Sequence, residues 1–415
     1  MGNTSNNNSK SQTKKQYDID NSYYRPKEDI YLSPLANYRY FNKRVPYYSE
    51  EISLSENEQK LISDLHKDKI ELTEFTETNQ QGTTKVIIDT DIGTDWDDAL
   101  AILYALNIPK LEILGITTNY GIPNLRASIT RQIIEAYTSI NHLKNTLPIL
   151  EGASRVLGSH RELLIYGHEG QPFFSPLDLK NDLDMIMKRN QTKASEFISS
   201  MVKKYPNQVK IISIGIPTNI GLAIKNNKEI IPLIKEIIIM GCGSEIKTDS
   251  NYNIIDEIKS GNTINLYPNH NVSGDTIASK IIFDSCIRTK LISHSVSSKF
   301  WIEGKMIEYL RNKAEKEEDI KNPKTPEGAV GLLMKEWFEI RRQTGQCPHD
   351  PLTVNEAIFE GKDSPIIYAR GRIILHEWAA FSTFIPQKDG PHFLGVKIKE
   401  DNNFIYNLEQ IIMKV

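Results

Sequence analysis

The stretch KVIIDTDIGTDWDDALA (residues 85–101) decides how the chain is read. Its first part, KVIIDTD (85–91), is a short β-branched run, the pattern of a buried strand. The segment DDALAILYAL (97–106) has apolar residues at helical spacing and acids in its first turn, where the helix dipole favours them. The alternation spreads outward. LEILGITTN (111–119) predicts a strand and NLRASITRQIIEAYTSI (124–140) a helix. VKIISIG (209–215) predicts a strand, PTNIGLAIK (217–225) a helix and KEIIIMG (235–241) another strand. KIIFDSC (280–286), KLISHSV (290–296) and RGRIILH (370–376) continue the series. Apolar strands alternating with helices predict an α/β fold with a mainly parallel central sheet flanked by helices. In such sheets ligands bind outside the carboxyl ends of the strands.

The composition narrows the function classes. The 415 residues suggest two or three domains of about 100–200 residues each, or one large domain with an extension. Net charge is −3 and pI about 6.3, which argues against a protein dominated by nucleic-acid or anionic-membrane binding. Cys242, Cys286 and Cys347 form no CxxC pair, so a reduced, cytoplasmic setting is expected. The longest apolar runs are strand-sized, so no membrane span is expected.

The first 20 residues are rich in Asn, Ser and Lys and predict a disordered tail. Gly2 suggests N-myristoylation, but Asn6 stands at the hydroxyl position of that motif, so an ordinary start is read. Residues 21–84 form a second unit, with a Tyr-rich arm and one helix. Residues 17–48 hold eight of the 18 tyrosines, interleaved with basic and acidic residues. Such an arm suits a half-buried contact surface better than single-stranded nucleic acid. Ser55–Glu58 has capping-box spacing and starts an amphipathic helix expected to end near Lys69. Residues 85–415 form the third unit, the expected catalytic domain. Its run 311–328 reads as a solvated helix end and loop.

Asp89, Asp91, Asp95, Asp97 and Asp98 fall within ten residues, at a strand end and a helix start. Carboxylates this close raise one another's pKa unless a cation sits among them. A helix N-terminus offsets only about 0.3–1 kcal/mol for one or two of them. A hard divalent cation on oxygen ligands, Ca²⁺ or Mg²⁺, resolves the repulsion.

Two families carry Asp-x-Asp at this place. In the haloacid-dehalogenase-type phosphatases Asp89 would be the nucleophile and Asp91 the acid/base, but Ser279 stands where that fold wants a second late aspartate. The other match is fuller. DTDIGTDWDDALA resembles the signature of the inosine-uridine preferring nucleoside hydrolases. The resemblance recurs in order in GITTNYGIPNLRA (115–127), YGHEG (166–170), GIPTNIGLAI (215–224), EIIIMGCG (236–243), NHNVSGDTIASKIIF (269–283) and CPHDPLTV (347–354).

The resemblance implies a Rossmann-like core and hydrolysis of an N-glycosidic bond of a nucleoside-like substrate. It implies one Ca²⁺ held by Asp91, Asp98 and Asp350 and by the Thr218 carbonyl. Asp91 would also be general base on a water, Asp97 would hold ribose hydroxyls, Met240 would pack near the sugar, and His349 would face the leaving base and help to protonate it. Family habit implies a dimer or tetramer. Several recognition positions depart from the pattern. Ile122 replaces an asparagine, Tyr166 a histidine (His168 lies two residues on) and Asn269 a glutamate, while Asn271 is kept. Asn262 or Asn265 could fill a further asparagine position, and the loop from Met240 to Asn269 is longer than usual. Tyr166 could stack on a nucleobase. Three readings follow: a Ca²⁺-dependent N-ribohydrolase with altered sugar recognition, a non-catalytic ligand-binding relative, and a phosphatase.

Overall fold

The computed structural model describes residues 56–73, 82–142, 147–158, 168–174, 192–243, 253–266, 269–358, 364–376 and 382–414. The expected tail, the Tyr-rich stretch of residues 17–48, and Tyr166 lie outside these residues. Within them the chain runs α1 (Glu56–Asp64), β1 (Thr84–Thr90), α2 (Asp97–Leu106), β2 (Leu111–Thr118), α3 (Pro123–Ile140), β3 (Ile149–Glu151), α4 (Lys193–Lys204), β4 (Val209–Ser213), α5 (Thr218–Asn226) and β5 (Glu236–Met240). It continues with α6 (Ile254–Lys259), β6 (Ile264–Leu266), α7 (His270–Gly274), α8 (Thr276–Asp284), β7 (Thr289–Ile292) and α9 (His294–Ser297). The last elements are α10 (Lys305–Glu315), α11 (Pro326–Arg341), α12 (His349–Ile358), β8 (Ile366–Leu375), β9 (Ser382–Pro386), β10 (His392–Ile398) and α13 (Phe404–Met413).

The strands form one sheet in the order β3-β2-β1-β4-β5-β7-β10-β8-β9-β6. β1 lies inside it, parallel to β2 on one side and β4 on the other. Its alternating side chains serve two cores. Val86 and Ile88 pack with α2, α3 and α11 on one face, and Ile87 packs with Ile198, Ile220 and Ile282 on the other. Both faces are therefore covered, as the unbroken apolar runs require.

The sheet is mainly parallel, as expected, and two local readings differ from the structure. Residues 280–284 finish helix α8 rather than adding a strand. A buried helix segment and a buried strand look alike over a short apolar run. The sheet ends in an antiparallel wing, where β8 pairs β10 and β9 and β9 pairs β6. Nothing in strand-sized apolar runs encodes direction. The second difference is α1, which stops at Asp64, short of Lys69. Beyond it the chain turns extended and pairs with the wing. Asp68 N–H donates to Pro386 O at 3.0 Å, and Thr73 and Tyr368 exchange backbone bonds of 2.6 and 3.0 Å. Ile70 is buried in the second core. Sheet pairing and burial here outweigh helix propensity. Part of the segment before residue 85 is thus bound to the sheet. The run 311–328 does join the end of α10 to the start of α11, where Thr325 caps Gly328 N–H at 3.0 Å.

At the start of β10, His392 is fully buried and its Nδ1 accepts the Ile373 N–H at 2.7 Å. An accepting Nδ1 requires the neutral ring. Burial, with Arg372 nearby, pushes its pKa down to about 3 against a backbone bond to Phe283. The unfolded state therefore binds more protons below pH 6.5, and stability is lost as pH falls through that window towards 3. We expect His392→Asn, which keeps an acceptor for Ile373, to recover about 2 kcal/mol of the wild-type loss between pH 7 and pH 5 in urea titrations. Equal acid sensitivity of the two proteins would contradict this.

Candidate active site

The site is built where β1 runs out. Asp89, its penultimate residue, is fully buried and accepts from Thr117 Oγ1 at 2.6 Å, Asn219 Nδ2 at 2.8 Å and Asn119 Nδ2 at 3.1 Å. Burial still lifts its pKa to about 7 against those bonds. This carboxyl knits β1, β2 and α5 together. It is shielded on all sides, which removes the phosphatase reading that needs Asp89 as an attacking group.

From Thr90 the chain folds into a tight loop before α2. A Cβ on Gly215 would lie 2.6 Å from Asp91 N, so only glycine lets the end of β4 approach this closely. Arg126, buried on α3, clamps the loop from behind. Its Nη1 donates to Asp91 O and to Ile92 O (2.8 Å), and its Nε donates to Tyr120 O at 2.8 Å. Tyr120 has φ 63°, a costly left-handed conformation for a tyrosine, held by its N–H to Ala153 O at 2.8 Å.

The acids converge above this clamp. Thr90 Oγ1 donates to Asp98 Oδ1. Asp97 N–H donates to Asp95 Oδ1 at 3.0 Å, and Asp350 N–H, in the first turn of α12, reaches Asp97 Oδ2 at 3.4 Å. Oxygens of Asp95, Asp97 and Asp98 lie within 4.8 Å of one another. Burial pushes the Asp91 carboxyl up to about 6, with Arg126 opposing and Asp95 adding to the rise. Burial and the neighbouring carboxylates hold Asp97, Asp98 and Asp350 well above the usual range.

His349 opens α12 beside them. Its Nδ1 lies 2.8 Å from Ser297 Oγ, and that hydroxyl donates to Ser293 O at 3.2 Å. Ser297 therefore accepts, Nδ1 carries the proton, and Nε2 is the accepting nitrogen. The ring also stacks on His294 with centroids 5.2 Å apart. Burial, with His294 adding, lowers its pKa to about 4, while Asp95 acts the other way. The neutral ring is the favoured form.

The other expected residues sit at adjacent element ends. Met240 ends β5, and Asn271 on α7 donates through Nδ2 to Ile214 O at 2.9 Å and Met240 O at 3.2 Å. Thr218 opens α5, and its hydroxyl donates to Asp275 at 2.8 Å. Asn269 caps α7 by accepting the Val272 N–H at 3.1 Å. Asn265 is placed on β6 with its Oδ1 accepting from Thr383 at 3.0 Å, and Asn262 bonds Glu257 at 2.6 Å, so neither joins the acidic cluster. Ile122 is a core residue. His168 Nε2 donates to Thr94 O at 2.7 Å, which ties its loop to the acidic turn.

Sequence reasoning gave no role to Arg126, Ser297 or His294 and noticed Asp95 only as one of the cluster. Arg126, set between Leu125 and Ala127 in the first turns of α3, was the available signal for the clamp. Ser297 and His294 reach His349 across 50 residues and leave no local trace. The donors gathered here are oxygens, buried and mutually repelling, which is the chemistry of a hard cation site.

Solved structures share this architecture. A plant nucleoside hydrolase superposes with a TM-score of 0.54 at 20% identity, covering 79% of this chain and 98% of that one. A purine-preferring ribonucleoside hydrolase from Gardnerella vaginalis gives 0.56 at 21%, covering 80% and 98%. The fold is that of the nucleoside hydrolases. The profile of the family described as inosine-uridine preferring nucleoside hydrolase matches residues 86–391, and the chain belongs to that family. It is 33% identical over 158 residues to uridine nucleosidase 1 of Arabidopsis thaliana, 38% of this chain and 44% of that protein. It is 26% identical over 285 residues to the pyrimidine-specific ribonucleoside hydrolase RihA of Salmonella newport, 65% and 78%. The chain matches between 44% and 64% of the length of the plant uridine nucleosidases.

The clamp can be tested directly. Arg126→Met strands three carbonyls and should cost about 3 kcal/mol in urea unfolding. An unchanged midpoint would show that the acidic turn holds itself.

Proposed function

We propose that the chain is a Ca²⁺-dependent N-ribohydrolase that splits the N-glycosidic bond of a ribonucleoside or related N-ribosyl compound into free base and ribose. The observation that carries this reading is the convergence of Asp91, Asp98 and Asp350 with Asp95 and Asp97, an oxygen-only cluster at the carboxyl end of a buried strand with His349 beside it.

Asp91, Asp98, Asp350 and the Thr218 carbonyl are the proposed ligands, with Asp95 as a further carboxylate in reach. When bound, the ion supplies Lewis acidity that makes a nearby water a stronger acid and gathers sugar hydroxyls. Asp91 takes the proton as the water oxygen attacks the anomeric carbon. The C–N bond would break with its electron pair leaving on the base, which takes a proton from solvent, balanced by the proton that Asp91 later returns to solvent. Positive charge builds on the sugar ring, and the surrounding carboxylates favour it. Asp97 holds ribose hydroxyls, and Met240, Asn269 and Asn271 border the sugar. His349 addresses the base through Nε2, which in the neutral ring accepts a hydrogen bond. Donating a proton there needs the charged ring, which burial and His294 oppose.

The relatives' names point to pyrimidine ribonucleosides as the first substrates to try. Departures at Ile122, Tyr166 and Asn269 support altered sugar recognition. Assembly as a dimer or tetramer rests on the resemblance alone, and a cytoplasmic location on the cysteine pattern. Among the described residues no helix is long and apolar enough to cross a membrane.

Base release from a panel of ribo- and deoxyribonucleosides, nucleotides and dinucleotides tests the reading. Release should require Ca²⁺, stop with chelator, and fall about 10²–10⁴-fold in Asp91→Asn. Ca²⁺ bound by calorimetry with no release from any substrate would favour a binding protein on this scaffold.

A further inference from the structure

The end of α12 opposite His349 and Asp350 ends in a buried charge cluster. Lys210 on β4 and Lys290 on β7 are both fully buried. Lys210 Nζ donates to Ala357 O at 3.0 Å, and Lys290 Nζ donates to Glu356 O at 3.0 Å. These are the last carbonyls of α12, the groups a helix leaves without internal partners. Glu236 on β5 balances the cations, with Lys210 Nζ at 3.4 Å and Arg288 Nε at 2.8 Å. Glu356 accepts from Tyr368 Oη at 2.6 Å and Ser364 Oγ at 2.9 Å. Burial pushes the Glu236 carboxyl up, but Lys290, Lys210 and Arg288 outweigh it and hold it below its usual range.

An apolar side chain would fill either lysine position at less cost, because an ammonium loses its hydration on burial. The position of the cluster supplies the reason for it. Helix α12 has ten residues, about 15 Å of length. It carries Asp350 at one end and the gripped carbonyls at the other. The same helix is tied sideways to α2, where Tyr104 Oη donates to Asn355 Oδ1 at 3.0 Å. Helix α2 carries Asp97 and Asp98 in its first turn. The two helices that bring acids to the site are thus locked together at their far ends.

We propose that Lys210 and Lys290 are positioning residues for the acidic site: by gripping the last carbonyls of α12 they fix where its first turn holds His349 and Asp350 against α2. The proposal rests on the cation-site reading above and deepens it.

The test uses the full chain and Ca²⁺ itself. Lys210→Met and Lys290→Met keep the apolar stems and remove the ammonium. Tyr104→Phe loosens only the tie to α2, and Ile282→Val thins the opposite core as a stability control. Ca²⁺ dissociation constants come from calorimetry, amide exchange reports on residues 349–354, and Tm reports on stability. The lysine variants should weaken Ca²⁺ binding about tenfold or more, the scale for outer partners of metal ligands, and speed exchange in the first turn of α12. Tyr104→Phe should shift both in the same direction by less. Ile282→Val should lower Tm alone. Folded lysine variants with wild-type Ca²⁺ affinity and exchange would overturn the proposal and leave the hydrolase reading standing. Should both lysine variants fail to fold, unchanged affinity and exchange in Tyr104→Phe would overturn it. A wild-type chain that binds no Ca²⁺ would overturn the cation-site reading and the proposal with it.

Discussion

Like charges forced into one buried place are the constraint on which this structure turns. Two carboxylates about 5 Å apart at an effective dielectric near 20 repel by about 3 kcal/mol. The N-termini of α2 and α12 offset about 0.3–1 kcal/mol each, so the dipoles do not balance the cluster. Arg126 lowers Asp91 and Asp98 but stands behind the loop, with its donors committed to backbone carbonyls. Protonation is what remains without a cation, and the raised pKa values of Asp97, Asp98 and Asp350 express that. A divalent ion removes the conflict at once. A solvated acidic loop would have spread its charges into water, whereas these side chains are held inside.

Holding them there takes rigid support from several directions. Asp89 fastens the end of β1 to β2 and α5 through three donors. Gly215 lets β4 close against the turn, and the left-handed Tyr120 turns its carbonyl to Arg126. These features lie on strands and helix ends rather than on long loops, which suits a site whose geometry must not relax when its charges repel. Asp89 shows how the same residue type takes opposite tasks a short way along the chain. It is surrounded by donors and serves the scaffold, while Asp91, two residues on, faces other carboxylates.

The parallel half of the sheet was legible because β-branched runs and helical periodicity alternate without interruption from residue 85. Asp91, Asp97 and Asp98 were legible because one strand end and one helix start placed them together. Asp350 was reachable only through resemblance, since it meets Asp97 across more than 250 residues. The antiparallel wing escaped because pairing direction leaves no mark in a short apolar run. The extended course after Asp64 escaped because a sheet edge outside the local window decides it. The lysine cluster escaped for a related reason. Lys210 and Lys290 are single charges within apolar strand runs, and only the close approach of α12 reveals them as buried.

The recognition side of the site follows a different logic from its acidic side. At position 122 the family resemblance implies an asparagine, and a buried amide must find a polar partner or cost about 1–3 kcal/mol. In a binding site that partner is the ligand. Ile122 needs none, and burying it stabilises the fold by about 1.5–3 kcal/mol whether or not a ligand is present. At Asn269 the side-chain carbonyl oxygen is likewise committed to the scaffold, because it caps α7. Both positions therefore serve the scaffold. A site that gives up such contacts loses its strongest means of rejecting analogues that lack a hydroxyl, since rejection comes from polar groups left unpaired. On the function proposed above, acidic residues kept beside recognition positions absorbed into the scaffold would leave the sugar preference to contacts other than those the family resemblance implies.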